Sequence, residues 1–161
     1  MFNLKKEFYL KIVLILSSII LISAYFIELV LGHQPCNLCL IERIPYGLSI
    51  MIIMAIFLIK KNQKFLILLL ILTFTFSFTI SFYHYGIEKG FFQESSVCGV
   101  RIFNENITKE DLLRQLNEKT ISCKDVTFRI FGLSLTSINI VISLLFIITL
   151  IKIFNKYEKN K

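Results

Sequence analysis

The chain has 161 residues, 55% of them hydrophobic, with a mean hydropathy of +0.71 and a formal net charge of +7. That balance is too apolar for an ordinary water-soluble domain and points to membrane spans. A nucleic-acid surface is excluded, because the lysines gather at the ends of apolar runs rather than along a basic face.

The first apolar run, residues 12–30, follows a tail bearing Lys5, Lys6 and Lys11 and holds one acid, Glu28, near its far end. A transmembrane helix needs about 20 residues at 1.5 Å each to cross about 30 Å of hydrocarbon. The run is longer than a signal-peptide core and no small-x-small cleavage pattern precedes Glu28, so a retained helix is expected. Residues 31–43 form a short loop containing Cys36 and Cys39 at C-x-x-C spacing, with Arg43 four residues after the second thiol. The second run, residues 44–59, carries Pro45 near its start, where a helix best tolerates a missing N–H. Lys60, Lys61 and Lys64 make a basic turn before the third run, residues 65–82. A long loop, residues 83–129, opens on Tyr83-His84 and contains Cys98 and Cys123. The fourth run is residues 130–151, followed by a tail with Lys152, Lys156, Lys159 and Lys161.

These elements predict an all-α membrane protein, a four-transmembrane-helix bundle forming a single integral membrane domain over residues 1–161. Within the long loop, Thr108-Lys109-Glu110-Asp111 reads as a capped helix start, and Leu112, Leu113 and Leu116 share one face of a short amphipathic helix to about Lys119. That segment either lies on the membrane surface or packs on the bundle end. Asn106-Ile107-Thr108 also fits a glycosylation sequon. The two tails and the 60–64 turn hold ten Lys/Arg in 26 residues, against eight in the 60 residues of the other two loops, where seven acids balance the long one. By the positive-inside rule both termini are expected in the cytoplasm, with all four cysteines on the outer side. Trp is absent, leaving Tyr25, Tyr46, Tyr83 and Tyr85 for the interfacial belt.

Four cysteines allow three disulfide connectivities. Zinc is disfavoured for Cys36 and Cys39, since the other cysteines are 25 residues apart and His33 and His84 stand alone in sequence. A four-residue ring is a poor static staple, because stabilisation grows with loop length, so a redox role is the better expectation. A disulfide between Cys98 and Cys123 would staple the long loop; with a C-x-x-C on the same side, the two pairs could also exchange through mixed disulfides. Gly99 after Cys98 and the polar residues around Cys123 suggest accessible, mobile thiols. Arg43 has two readings: an arginine anchoring a helix end, or a cation near a thiolate one helical turn away. His84 reads as a hydrogen-bonded structural residue, and Glu28 and Glu42 as interfacial acids reaching water.

Pro35-Cys36-x-x-Cys39-x-x-Glu42-Arg43 at the head of the second run, Tyr83-His84 after the third, the Cys98/Cys123 pair and the stretch 128–139 together resemble the DsbB family of disulfide-forming membrane proteins. The resemblance covers nearly the whole chain. It implies a quinone-coupled thiol oxidase of a bacterial inner membrane, with its cysteines on the periplasmic side. It implies that a DsbA-like thioredoxin-fold donor reacts at Cys98, that electrons pass from Cys98/Cys123 to Cys36/Cys39, and that Cys39 contacts the quinone (ubiquinone or menaquinone). Arg43 would hold the quinone ring, with His84 a further pocket residue, and no metal is implied. A vitamin K epoxide reductase-like enzyme, or a non-catalytic membrane interaction protein with structural disulfides, are the alternatives.

Overall fold

The computed structural model describes residues 2–59, 62–94, 98, 122–124, 129–130 and 132–159. Four helices make up the described chain: α1 (Phe2–Leu29), α2 (Asn37–Leu58), α3 (Gln63–Glu88) and α4 (Leu135–Lys159). A two-residue antiparallel hairpin, β1 (Arg129–Ile130) and β2 (Leu133–Ser134), precedes α4. Every helix contains a segment long and apolar enough to cross a membrane. The chain is therefore an all-α, four-helix membrane bundle. The amphipathic segment 108–119 and the sequon at Asn106 fall outside the described residues.

The helix ends differ from the apolar runs in informative ways. Helix α2 begins seven residues before its run, because Cys36 takes an extended N-cap conformation (φ −71°, ψ 166°) and its Sγ accepts the Cys39 N–H at 3.3 Å. Pro45 consequently lies inside the helix, where it leaves the Ile41 carbonyl without its helical N–H partner. Helix α3 continues six residues beyond its run to Glu88, so Tyr83 and His84 are helical rather than the start of a loop. Gly90, at φ 77°, then supplies the left-handed backbone that turns the chain away. Helix α4 starts later than residue 130. Gly132 (φ 81°) makes the hairpin turn, and Ser134 Oγ caps the helix by accepting the Ser137 N–H at 3.2 Å.

Buried positions follow a three–four spacing on each inner helix: Ile67, Leu70, Phe74, Ser77, Ser81 and His84 on α3, and Thr136, Asn139, Ser143, Phe146, Leu150 and Ile153 on α4. That spacing keeps one stripe of each helix against its neighbours, as in coiled-coil-like bundles. Composition along the stripes is graded. One end is an apolar core of Ile53, Ile56, Ile67, Leu70 and Leu150, capped by an edge-to-face Phe74–Phe146 pair with centroids 4.8 Å apart. Serines occupy the middle, where small side chains let helices approach and hydrogen-bond across the seam. Ser77 and Ser143 are 3.1 Å apart, and Ser49 donates to Ser17 at 3.3 Å. The other end, nearest Cys36, is polar: Glu42, Ser81, His84, Thr136 and Asn139 are all buried.

Consecutive helices are neighbours, with the most extensive packing between α3 and α4. Helix α1 packs on α2 but touches α4 only slightly. A lysine also ties its start to α3, Lys6 Nζ donating to Gln63 Oε1 at 2.7 Å. The loose α1–α4 seam leaves space at the polar end of the bundle, and the candidate site occupies it.

Candidate functional site

Because α2 starts at Asn37, Cys39, Glu42, Arg43 and Tyr46 project from a single stripe over its first three turns. Cys36 stands just before the helix. Its Sγ is 2.7 Å from Cys39 Sγ and 3.6 Å from His84 Nε2, and neither thiol of the pair is bridged. His84 is therefore not alone: α3 carries it to the C-x-x-C although 45 residues separate it from Cys39 in sequence.

A chain of hydrogen bonds runs inward from this contact. His84 Nδ1 is 2.8 Å from Glu42 Oε1, and Asn139 Nδ2 donates to Glu42 Oε2 at 3.0 Å and to Ser81 Oγ at 2.7 Å. The Tyr46 hydroxyl donates to Asn139 Oδ1. Thr136 Oγ1 lies 3.2 Å from His84 Nδ1 and donates to Glu88 Oε1 at 2.7 Å. A carboxylate only accepts, so Nδ1 carries a proton and Nε2 is left facing the Cys36 sulfur, placed to take its proton. Glu42, expected to reach water, is instead 8% exposed and fully partnered. Burial without those partners would be costly, which is why the acid comes with an Asn and a His.

The Cys36 thiol is held well below the usual thiol range, at about 5. The hydrogen bond from the Cys39 side chain is the main cause, followed by the hydrogen bond and charge of His84, with burial opposing. The lowered value favours thiolate at every pH above about 5, whereas an unperturbed thiol near 8.5 is mostly protonated at neutrality. In the reduced Cys98→Ser/Cys123→Ser protein, where Cys36 and Cys39 are the only thiols, ultraviolet thiolate absorbance should therefore persist as pH falls from 8 to 6 and vanish only toward about 5. His84→Ala should move that transition upward. A transition near 8.5 with His84 in place would remove the proposed stabilisation of Cys36.

A cavity of about 300 Å³ opens between α1, α2 and α4. Most of its wall is aliphatic, from Ile19, Ile20, Ile27, Ile138 and Ile142, while Cys39, Glu42, Arg43 and Asn139 gather at its polar part. Its volume is at the small end of the range for organic ligands, and an apolar wall with a few convergent polar groups is the usual make-up of such a site. His84 is not among the residues lining it; Glu42, its partner, is. Arg43 is fixed by α1: Nη1 pairs with the Glu28 carboxylate, Nη2 donates to the Ala24 carbonyl at 3.5 Å, and the guanidinium lies 5.1 Å from the Tyr25 ring centroid. Glu28, its side chain 29% exposed, thus reaches water as expected and also partners Arg43.

Cys98 and Cys123 form a disulfide. Both are buried, at 4% and 2% exposure, where accessible thiols were expected. They pack in one cluster with Cys36, Leu38 and Ile87, against which Cys39, Ile41 and Tyr83 also lie. Beside the bridge, the Glu94 carboxylate accepts hydrogen bonds from Ser122 Oγ and, at 3.0 Å, from the Lys124 N–H. Both cysteine pairs therefore share one packed environment at the polar end of the bundle.

The sequence points to the four cysteines, Arg43 and His84 but not to Ser81, Thr136 and Asn139, and Tyr46, expected in the interfacial belt, is instead buried at 3% exposure against Asn139. A signal was available: a polar residue inside a transmembrane run is expensive unless partnered, and so marks a candidate site by default. Asn139 and Ser81 both meet that description.

The chain matches the family of disulfide bond formation protein DsbB over residues 6–153. It is also similar to an uncharacterised protein of Rickettsia prowazekii (strain Madrid E), 31% identical over 163 residues that span 98% of this chain and 95% of that protein. With a C-x-x-C at the head of the second of four spans, a second cysteine pair packed beside it and a match across nearly its full length, the chain belongs to the DsbB family of disulfide bond formation proteins.

Proposed function

We propose that this membrane protein is a quinone-dependent protein-disulfide oxidoreductase that reoxidises a DsbA-like, thioredoxin-fold donor in the periplasm of a bacterium. The observation that carries the reading is the position of the C-x-x-C between two surroundings: Cys36 packs with the Cys98–Cys123 disulfide, while Cys39 lines the cavity beside Arg43. A pair so placed links a protein thiol on one side to a small lipophilic acceptor on the other. Charge density at the tails and the 60–64 turn supports an orientation with termini in the cytoplasm and the cysteines outside.

In this reading the donor thiolate attacks Cys98, opening the Cys98–Cys123 disulfide and forming a mixed disulfide. The donor's second thiolate releases it oxidised, leaving two electrons and two protons on Cys98 and Cys123. Exchange with an oxidised Cys36–Cys39 pair restores the Cys98–Cys123 disulfide and leaves Cys36 and Cys39 as thiols. That pair closes again as it gives up two electrons and two protons. His84 takes the Cys36 proton through Nε2, and Glu42 holds the imidazolium through Nδ1. Arg43 stabilises negative charge at the cavity end of the route. Quinone, whether ubiquinone or menaquinone, supplies the two-electron, two-proton acceptor when bound; the aliphatic wall with Cys39, Arg43 and Glu42 at one part fits such a ring. His84 bears on that ring through Glu42.

The test is purified protein supplied with a reduced thioredoxin-fold donor and a soluble quinone analogue. Donor oxidation coupled to quinone reduction is expected, and Cys98→Ser should abolish donor oxidation. Undiminished turnover in Cys98→Ser would sink the route, and no turnover at all would favour disulfides that only shape the outer segments.

A further inference from the structure

Cys36, Cys39 and His84 bring three ligand atoms, two sulfurs and an imidazole nitrogen, within 4.8 Å of one another. Sequence spacing counted against zinc because the other cysteines are 25 residues apart and each histidine stands alone; α3 removes the second objection by delivering His84 Nε2 to the thiols. We propose that the reduced Cys36–Cys39 pair and His84 form a binding site for a thiophilic divalent cation of the zinc class, which holds the pair in its dithiolate form.

Four features support the site. First, the donors are soft sulfur and imidazole, the set that selects zinc over hard cations. Second, the spacing is close to what a tetrahedral ion needs. Bonds of about 2.3 Å to sulfur and about 2.0–2.1 Å to nitrogen imply roughly 3.6 Å between sulfur and nitrogen and roughly 3.8 Å between sulfurs. Cys36 Sγ and His84 Nε2 are already 3.6 Å apart, the 2.7 Å separation of the two sulfurs has to open by about 1 Å, and all three donor atoms lie within 4.8 Å of one another. Third, the second ring nitrogen is already engaged. A metal-binding histidine almost always gives its other N–H to a carboxylate or carbonyl, and that carboxylate is itself held. Glu42 Oε1 is 2.8 Å from His84 Nδ1, and Asn139 Nδ2 holds Glu42 Oε2 at 3.0 Å. Fourth, charge and access suit a divalent ion: two thiolates neutralise it, and Cys39 on the cavity wall gives a route in. Binding releases two protons, one from Cys39 and one held between Cys36 and His84, and transfers no electrons. The fourth coordination position is left for water.

The consequence is inhibitory and rests on the proposed redox function. While the ion is bound the two sulfurs cannot join, so the cation competes with closure of the Cys36–Cys39 disulfide.

Cobalt(II) is the spectroscopic probe, added to the full chain in detergent after reduction and removal of reductant. One equivalent should give the intense visible bands of a tetrahedral thiolate site. The bands should be absent from the oxidised chain, which keeps the same residues but lacks free thiols. Cys98→Ser/Cys123→Ser should retain them, Cys36→Ser and Cys39→Ser should lose them, and His84→Ala should weaken binding at least tenfold. Glu42→Gln should weaken it by about 10–100-fold, the usual effect of losing such a supporting carboxylate. X-ray absorption of the zinc-loaded wild type needs no variant and should report two sulfurs and an imidazole nitrogen. Absence of cobalt bands from the reduced chain, an all-sulfur shell, or unchanged affinity in His84→Ala would each overturn the site. A chain that binds cobalt as described but never reduces quinone would keep the metal site and sink the redox reading; turnover without metal binding would do the reverse.

Discussion

Cys39→Ser is expected to reduce quinone turnover to the uncatalysed background while leaving one oxidation event per chain intact. The reason lies in the division of the two thiols. Cys36 is 6% exposed, packed against the Cys98–Cys123 bridge and in contact with His84, whereas Cys39 lines the cavity. Removing Cys39 deprives the pair of its only means of closing, so electrons that arrive have no onward route. The Cys98–Cys123 disulfide remains and should still oxidise one equivalent of donor before stopping. A rapid-mixing experiment separates the outcomes: a single stoichiometric burst of donor oxidation without quinone reduction is expected. Continued steady turnover would show that electrons leave by another path, and the assignment of Cys39 to the acceptor side would fall.

Arg43→Ala is expected to raise the KM for quinone by about 10–100-fold with little change in the KM for the donor. A hydrogen bond to a charged group is worth about 1.5–3 kcal/mol, and about 1.4 kcal/mol corresponds to a factor of ten. The guanidinium lines the cavity and is locked there by Glu28, the Ala24 carbonyl and the Tyr25 ring. Its orientation is thus set before any ligand arrives, which lowers the ordering cost of binding. Arg43→Lys keeps the charge but loses the planar fork, so it should recover only part of the affinity. Since the substitution also leaves Glu28 without its partner, Glu28→Gln/Arg43→Ala is the control; a similar quinone KM in single and double variants would exclude an effect of the stranded acid. If donor oxidation slows while the quinone KM stays put, Arg43 acts instead as a tie between α1 and α2.

Much of this architecture is legible in the sequence. The four apolar runs gave four helices because only a hydrogen-bonded segment of that length satisfies its backbone inside hydrocarbon. Helix ends were less legible, since hydropathy reports where lipid is met rather than where hydrogen bonding stops. Residues 83–88 are polar enough to look like loop, yet they continue α3 and carry His84. Residues 37–43 likewise look like loop, yet Cys36 caps them into helix α2 and aligns Cys39 with Arg43.

By itself the sequence determined the membrane class, the four spans and the cysteine pattern that marks the family, because apolar run length and C-x-x-C spacing are local properties of the chain. The tertiary structure alone decided which groups meet. His84, Glu42 and Asn139 come from three different helices, 42 and 97 residues apart from Glu42 along the chain, and nothing local in any of them names the others. They converge because the three–four stripes of α2, α3 and α4 face one another, and a buried acid, imidazole and amide are tolerable there only in each other's company. The same packing sets Cys36 against the second cysteine pair and Cys39 on the cavity, giving two chemically similar thiols different neighbours.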